Sequence, residues 1–414
     1  MSAANATPRA SQADEARGFD AAAFAPPADL DRLQRTALLA GIGGLVVCLL
    51  GLLLSPDTFF RAWLVGWVYW VGISAGSLAI MMLHHMTRGA WGLVVRRVLE
   101  AAARTLPALL VLALPLLFGM RRLYLWARPE VLAHDELLQA KQAYLNVPFW
   151  WVRLVLFLAV WSLFAFVLSS LSWRQDARPE TGLTRRMQLL AGPGIVVYGL
   201  VVTLAAVDWL MSIEPHWYST IYGVYLMGSQ GLSALAFLIL FALWLSRRPP
   251  MDRVIKPGHF HDWGKLFLAF TMLWAYFNFS QFLIIWSGNQ PEEIVWYLHR
   301  IRGGWGFVAL ALVVFHFALP FALLLSRDLK RHASRLAGVA VLMAVMRLAD
   351  LFWQVEPGYV GETGVHHPAF YWLYLAAPVA VGGFWLFWFL RELKRQPLLP
   401  INDPYLAEAV DPHV

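Results

Sequence analysis

Cysteine is almost missing from this sequence. Cys48 is the only one among 414 residues, which excludes an intramolecular disulfide, a cysteine-ligated iron–sulfur cluster and a C-x-x-C-H haem attachment. Any redox centre of those kinds has to belong to a partner. Charge is scarce too: Asp, Glu, Lys and Arg make up 14% of the chain against 59% hydrophobic residues. That balance describes a polytopic membrane protein and not a soluble enzyme with a core. Gly-rich phosphate loops, nucleophile elbows and H-E-x-x-H are absent, and with them the chemistry each supports. Residues 1–30, rich in Ala, Pro, Ser, Asp and Glu, lack the apolar stretch of a signal peptide and read as a disordered or partner-bound tail. The net charge is +7, but Lys and Arg sit mostly in short loops, where membrane topology explains them better than nucleic acid does.

Long apolar runs are what the chain has in abundance. Ten are long enough to cross a bilayer, which takes about 20 residues: 34–54, 60–84, 93–119, 149–172, 190–212, 218–245, 263–287, 304–325, 333–354 and 371–391. The 21 Trp and 26 Phe suit the aromatic belts of such a protein. The expected fold is therefore an all-α polytopic membrane protein of about ten transmembrane helices. An even number puts both termini on one side. Arg96, Arg97, Arg185, Arg186, Arg247, Arg248, Arg327, Lys330, Arg331 and Arg395 crowd that side, against Arg61, Arg121, Arg122, Arg128, Lys141, Arg300 and Arg302 opposite. The positive-inside rule then makes both termini cytoplasmic.

A D-x5-E-P spacing occurs twice, at Asp208–Pro215 and Asp350–Pro357, and Tyr69-x-x-Gly72 is echoed by Tyr225-x-x-Gly228. These matches suggest a parallel repeat of two four-helix bundles with two peripheral helices. The expected division is a tail at 1–33, a peripheral helix at 34–59, bundles at 60–212 and 213–354, a periplasmic loop with a peripheral helix at 355–391, and a cytoplasmic tail at 392–414. Both D-x5-E-P stretches are expected to make acidic corners at the periplasmic surface.

Ionisable groups at membrane depth are costly and are functional candidates by default. On the periplasmic side these are Asp208, Arg347 and Asp350, with Asn278 and Gln281 as polar neighbours. Glu214, His216, Glu292, Glu293, His299, Glu356, Glu362, His366 and His367 lie in adjoining loops. A quinol site needs this mixture: a carboxylate or His to take a proton, polar groups to hold the ring oxygens, and aromatic walls. Arg347 paired with Asp350 and Asp208 would also serve merely to hold helices together. On the other side Arg96, Glu100 and Arg104 recur every four residues, so that the acid can neutralise both bases. With His84 and His85 they form either a proton inlet or a plain polar stripe. Arg153 and Lys265 lie near span ends and are expected to snorkel. His316, alone in its span, reads as a hydrogen-bonded core residue. No metal site is expected, since His366 and His367 are poorly spaced for one ion.

The stretches D-W-L-M-S-I-E-P-H-W-Y-S-T-I-Y-G (208–223), H-D-W-G-K-L (261–266), F-S-Q-F-L-I-I-W-S-G-N-Q-P-E-E-I-V-W-Y-L-H-R (279–300) and P-L-L-P-I-N-D-P (397–404) resemble the ActF-type membrane subunit of bacterial alternative complex III. That family is related to the NrfD and polysulfide-reductase membrane subunits. The resemblance implies a subunit of a quinol:electron-acceptor oxidoreductase of the cytochrome c type in the bacterial inner membrane. It implies a quinone or menaquinone as substrate, and haem and iron–sulfur centres in partner subunits. Those partners would be an iron–sulfur subunit, a multihaem cytochrome c subunit and a paralogous membrane subunit, the last more securely associated with quinol oxidation. Asp208, Arg347 and Asp350 would then form a quinone-proximal or proton-conducting centre, with Glu214 and His216 at its mouth. Two other classes stay open: a purely structural anchor for redox subunits, and a proton-coupled secondary transporter. Transporters of that kind often break helices near the site, whereas here G-P-G (192–194) sits at a helix start and Pro107, Pro115, Pro320 and Pro378 do not pair between repeats.

Overall fold

The computed structural model describes residues 21–178, 180–363 and 368–410, apart from the side chains of 181 and 360–363. Among them the regular structure is entirely helical. The long elements are α1 (Asp29–Leu54), α2 (Pro56–Thr87), α3 (Arg96–Ala103), α4 (Leu106–Leu112), α5 (Leu114–Leu123), α6 (Val147–Ala177), α7 (Thr181–Trp209), α8 (Tyr222–Leu245), α9 (Pro257–Gly288) and α10 (Pro291–Ile301). They continue with α11 (Trp305–Leu325), α12 (Ala333–Thr363), α13 (Leu373–Leu393) and the short α14 (Leu406–Val410). Nine helices among the described residues are long and apolar enough to span a membrane, and ten if the bent α3–α5 path counts as one. The protein is a multi-pass helical membrane protein.

α2 packs with α3–α5, α6 and α7, while α8 packs with α9 and α12. The two groups meet along α2 and α8, the most enclosed spans, whose apolar windows are 83% and 78% buried. Gly76 allows that approach: a Cβ there would lie 2.2 Å from the carbonyl oxygen of Gln230. α1 and α13 lie side by side, α13 also leaning on α2. Their seam runs through Ala37, Gly41, Gly44, Cys48 and Gly51, the inward residues of α1. Gly41 faces Gly383, where a Cβ would come within 2.2 Å of the Gly41 nitrogen. Small residues let backbones touch where lipid provides no hydrophobic drive between helices.

Three expectations need correction. The third apolar run is not one helix but α3, α4 and α5, with a 61° bend before α5. Pro107 and Pro115 open α4 and α5, where a missing N–H costs nothing, so they act as helix starts after a break. The second D-x5-E-P stretch is not a corner, because α12 runs through Pro357 to Thr363. At the first, the helix ends at Trp209 and a 3-10 turn, Met211–Ile213, carries the chain round to Glu214. G-P-G does not sit at a helix start either, since Pro193 lies inside α7.

The tails are also more ordered than expected over their described parts. Leu398 donates its backbone N–H to the Phe24 carbonyl at 2.8 Å, so both ends of the described chain share one face. Residues 394–410 form a strap there, burying Leu398, Leu399, Ile401 and Asp403. Residues 1–20 of the expected N-terminal tail lie outside the described residues.

Candidate functional site

Between α9, α10, α11 and α12 lies a cavity of about 570 Å³. Trp274, Asn278, Phe282, Tyr297 and Trp353 line it, and Asp350 stands at its inner end. Its outer rim includes Tyr276, Phe279 and Val313, apolar or aromatic residues exposed on membrane-spanning helices. The cavity therefore opens sideways, toward where the lipid would be. A mostly apolar cleft with few polar groups at one end is the usual form of a small-molecule site.

Asp350 is wholly buried. Arg347, one turn earlier on α12, pairs with its Oδ2, and the same oxygen accepts from the Tyr225 hydroxyl at 2.5 Å and the Trp274 indole Nε1 at 3.2 Å. Its Oδ1 has no hydrogen-bond partner among the described residues. Arg347 also reaches Ser233 Oγ, at 3.4 Å from Nε. A buried pair of this kind holds together only while both charges and their neighbours are present.

A polar chain runs outward from this carboxylate. Gln354 donates from Nε2 to the Tyr225 hydroxyl and accepts at Oε1 from Tyr222 at 2.9 Å. The Gln354 carbonyl accepts from Arg300 Nη2 at 2.6 Å, and Arg300 Nη1 pairs with Glu214 Oε1 at 2.6 Å. Glu214 Oε2 lies 3.0 Å from Nδ1 of His299, which reaches the surface opposite the strap. Burial alone would raise the Glu214 carboxyl, but Arg300 and His299 outweigh it and hold the group below its ordinary range.

The structure separates residues that sequence spacing had grouped. Asp208 is not with Arg347 and Asp350. It lies on Arg153, which gives Nε to Oδ2 at 2.6 Å and Nη2 to Oδ1 at 3.0 Å, and stacks over Tyr144 at 3.8 Å. Arg153 is thus a buried partner and does not snorkel. His216 turns away from Glu214, its Nε2 lying 2.7 Å from Asp135 Oδ2. The Leu138 backbone N–H, together with His216, holds Asp135 below its ordinary range against a smaller desolvation effect. Gln281 lies beside the cleft, between Ser219 and Tyr297, and Asn278 lines it. Glu356 is not in a loop but buried in α12, against Arg61 at 3.4 Å and Tyr374. Glu292 is exposed and Glu293 half-buried on α10. The side chain of Glu362, and His366 and His367, lie outside the described residues.

On the strap face, Glu100 does not neutralise Arg96 and Arg104. It takes Arg97 at 2.5 Å and the Trp173 indole at 3.1 Å, while Arg97 also holds Asp176. Arg96 pairs with Asp403 of the strap at 2.8 Å, and Arg104 pairs with Glu392 at 2.8 Å and bonds Ser169 at 2.9 Å. The buried His84 and His85 adjoin this network, His84 Nε2 lying 3.4 Å from Arg96 Nη2.

Tyr225, Gln354, Arg300, Asp403 and Glu392 were missed as site residues. Tyr225 showed in sequence only as half of a repeat echo, and Arg300 only as a loop arginine and the last residue of a long motif. No group of three or more metal-ligating side chains occurs among the described residues. Fold and site together define a helical membrane protein with a side-opening cleft that ends on a buried acid. No family model matches the chain, and no curated protein matches it.

Proposed function

We propose that this chain is the membrane subunit of a quinol:electron-acceptor oxidoreductase. A quinol enters the cleft from the bilayer and gives a proton to Asp350, while Gln354 and Arg300 hold the outward polar groups in place and Glu214 and His299 are the titratable groups nearest the outer surface. The observation that supports this reading is the lateral opening of an aromatic cleft onto one buried carboxylate. A lipid-soluble substrate needs a side entrance, and a hydroxyl that loses a proton needs an acceptor within hydrogen-bond reach. Each quinol that becomes quinone gives up two electrons and two protons. With one cysteine in the chain, the electrons pass to iron–sulfur or haem centres of partner subunits.

The shared face of the described chain ends, together with the basic residues on it, supports cytoplasmic termini in a bacterial inner membrane. The Asp350 centre then lies toward the periplasm. Asp208 is given a structural role in this reading, and the strap-face cluster closes the cytoplasmic end. The transporter alternative draws on the break in α3–α5. Under the repeat its counterpart is α9, which is continuous, so the break is not duplicated.

Binding of a short-chain 1,4-naphthoquinone to the purified chain in lipid nanodiscs tests the proposal. Saturable binding is expected, and Ala309→Trp, which fills the cleft, should abolish it in protein that stays monodisperse. Absence of saturable binding to the wild type would sink the proposal.

A further inference from the structure

His316 has no role in the site as described so far. It lies in a π-helical segment of α11, Leu312–Ala318, whose Leu312, Val313 and Phe317 line the cleft. Single turns of π-helix carry an extra residue and are frequent at functional sites. His316 is fully buried, and neither ring nitrogen has a hydrogen-bond partner among the described residues. A neutral imidazole has one donor and one acceptor to satisfy, and leaving both unmet in an apolar interior is costly.

One ring separates His316 from the cleft. The Trp274 indole packs edge-on to the imidazole with centroids 4.1 Å apart, and its Nε1 donates to Asp350 Oδ2 at 3.2 Å. The indole is a flat bicyclic ring that donates its N–H to the acid and also packs against the histidine. A quinol hydroxyl would make the same bond to Asp350. Two unsatisfied groups, the His316 nitrogens and Asp350 Oδ1, flank this one ring.

We propose that Trp274 holds the place of a bicyclic head group, and that when its ring turns aside a naphthoquinol-type ligand bonds Asp350 through one oxygen and His316 through the other. This rests on the reading of the cleft as a quinone site and adds its second polar contact. A single-ring benzoquinone fills less of the space an indole occupies and binds more weakly.

The test uses the full chain in nanodiscs under dithionite and three probes with the same alkyl tail: a 1,4-naphthoquinone and a benzoquinone, both held in their quinol forms, and a naphthalene without oxygens. The wild type should bind the naphthoquinone most tightly, with a preference over the alkylnaphthalene of about tenfold or more, the scale of one or two net hydrogen bonds. His316→Phe keeps the ring volume and should reduce that preference by about tenfold, the scale of one lost bond, leaving alkylnaphthalene affinity unchanged. His316→Gln should restore most of the preference. An unchanged preference in His316→Phe, or benzoquinone bound as tightly as naphthoquinone, overturns the inference while the cleft reading stands. Failure of the wild type to bind either quinone overturns both. Should His316→Phe not fold, the infrared C–O bands of isotope-labelled naphthoquinol on the wild type decide. Both bands shifted from their free positions supports the two-ended grip, and one at its free position overturns it.

Discussion

Arg153 holds Asp208 by both carboxylate oxygens, at 2.6 and 3.0 Å, inside the membrane-spanning part of α6 and α7. The pair has its surroundings to itself: Tyr144 under the guanidinium, and Trp150 and Ser212 on the Asp208 carbonyl. Removing one partner strands the other. Arg153→Leu should cost about 3–5 kcal/mol, and the double change with Asp208→Leu should recover most of it. Denaturant unfolding in mixed micelles measures both, and equal losses in single and double variants would show that the pair does not act as a unit.

Tyr225 joins the cleft acid to the outward chain through one hydroxyl. Tyr225→Phe keeps the ring and should leave naphthoquinone affinity within about twofold, while slowing proton release by the assembled complex about tenfold or more, at the low end of what a positioned proton-transfer group supplies. Stopped-flow with a pH indicator reads the rate. Normal release in this variant would take the phenol out of the path.

Glu214 is held below its ordinary range, so its ion pair with Arg300 and His299 adds stability that is complete above the unfolded value, about 4.3. That contribution is lost as pH falls through the lower, folded value. Thermal stability should therefore drop more steeply below about pH 4 in the wild type than in Glu214→Gln, which lacks this step. Parallel curves for the two proteins would contradict it.

Gly383 lets α13 touch the backbone of α1. Gly383→Leu forces them apart, at a cost of about 1–3 kcal/mol as for other overpacked sites. Cys48 lies on the same α1 seam and is fully buried, so it reports the separation. Its labelling by a membrane-permeant maleimide should be slow in the wild type and fast in the variant.

The spans were legible because hydropathy over about 20 residues is a strong signal and the bilayer leaves the backbone little choice. Partners were not legible, because spacing along one helix says nothing of what the next helix presents. Arg153 looked like a snorkelling residue from its distance to the span end. The acid that claims it stands 55 residues away. The two D-x5-E-P stretches differ four residues past the acid, where Ser212 bonds back to the Asp208 carbonyl and Gln354 bonds outward to Tyr222 and Tyr225. Ser212 goes with a helix end and Gln354 with a helix that continues. Asp350 was found because an acid at depth is rare, whereas the tyrosines and tryptophan around it look like any aromatic belt.

The strap on the face of the chain ends sets an order of events during synthesis. Arg104 leaves the ribosome 288 residues before Glu392, which neutralises it, and Arg96 likewise long precedes Asp403. Arg97, by contrast, finds Glu100 and Asp176 within the first half. Until the strap has been made, two cations lack the acids they pair with in the finished fold. A nascent chain halted before residue 392 cannot close that end, so closure of this face follows synthesis of every span before it.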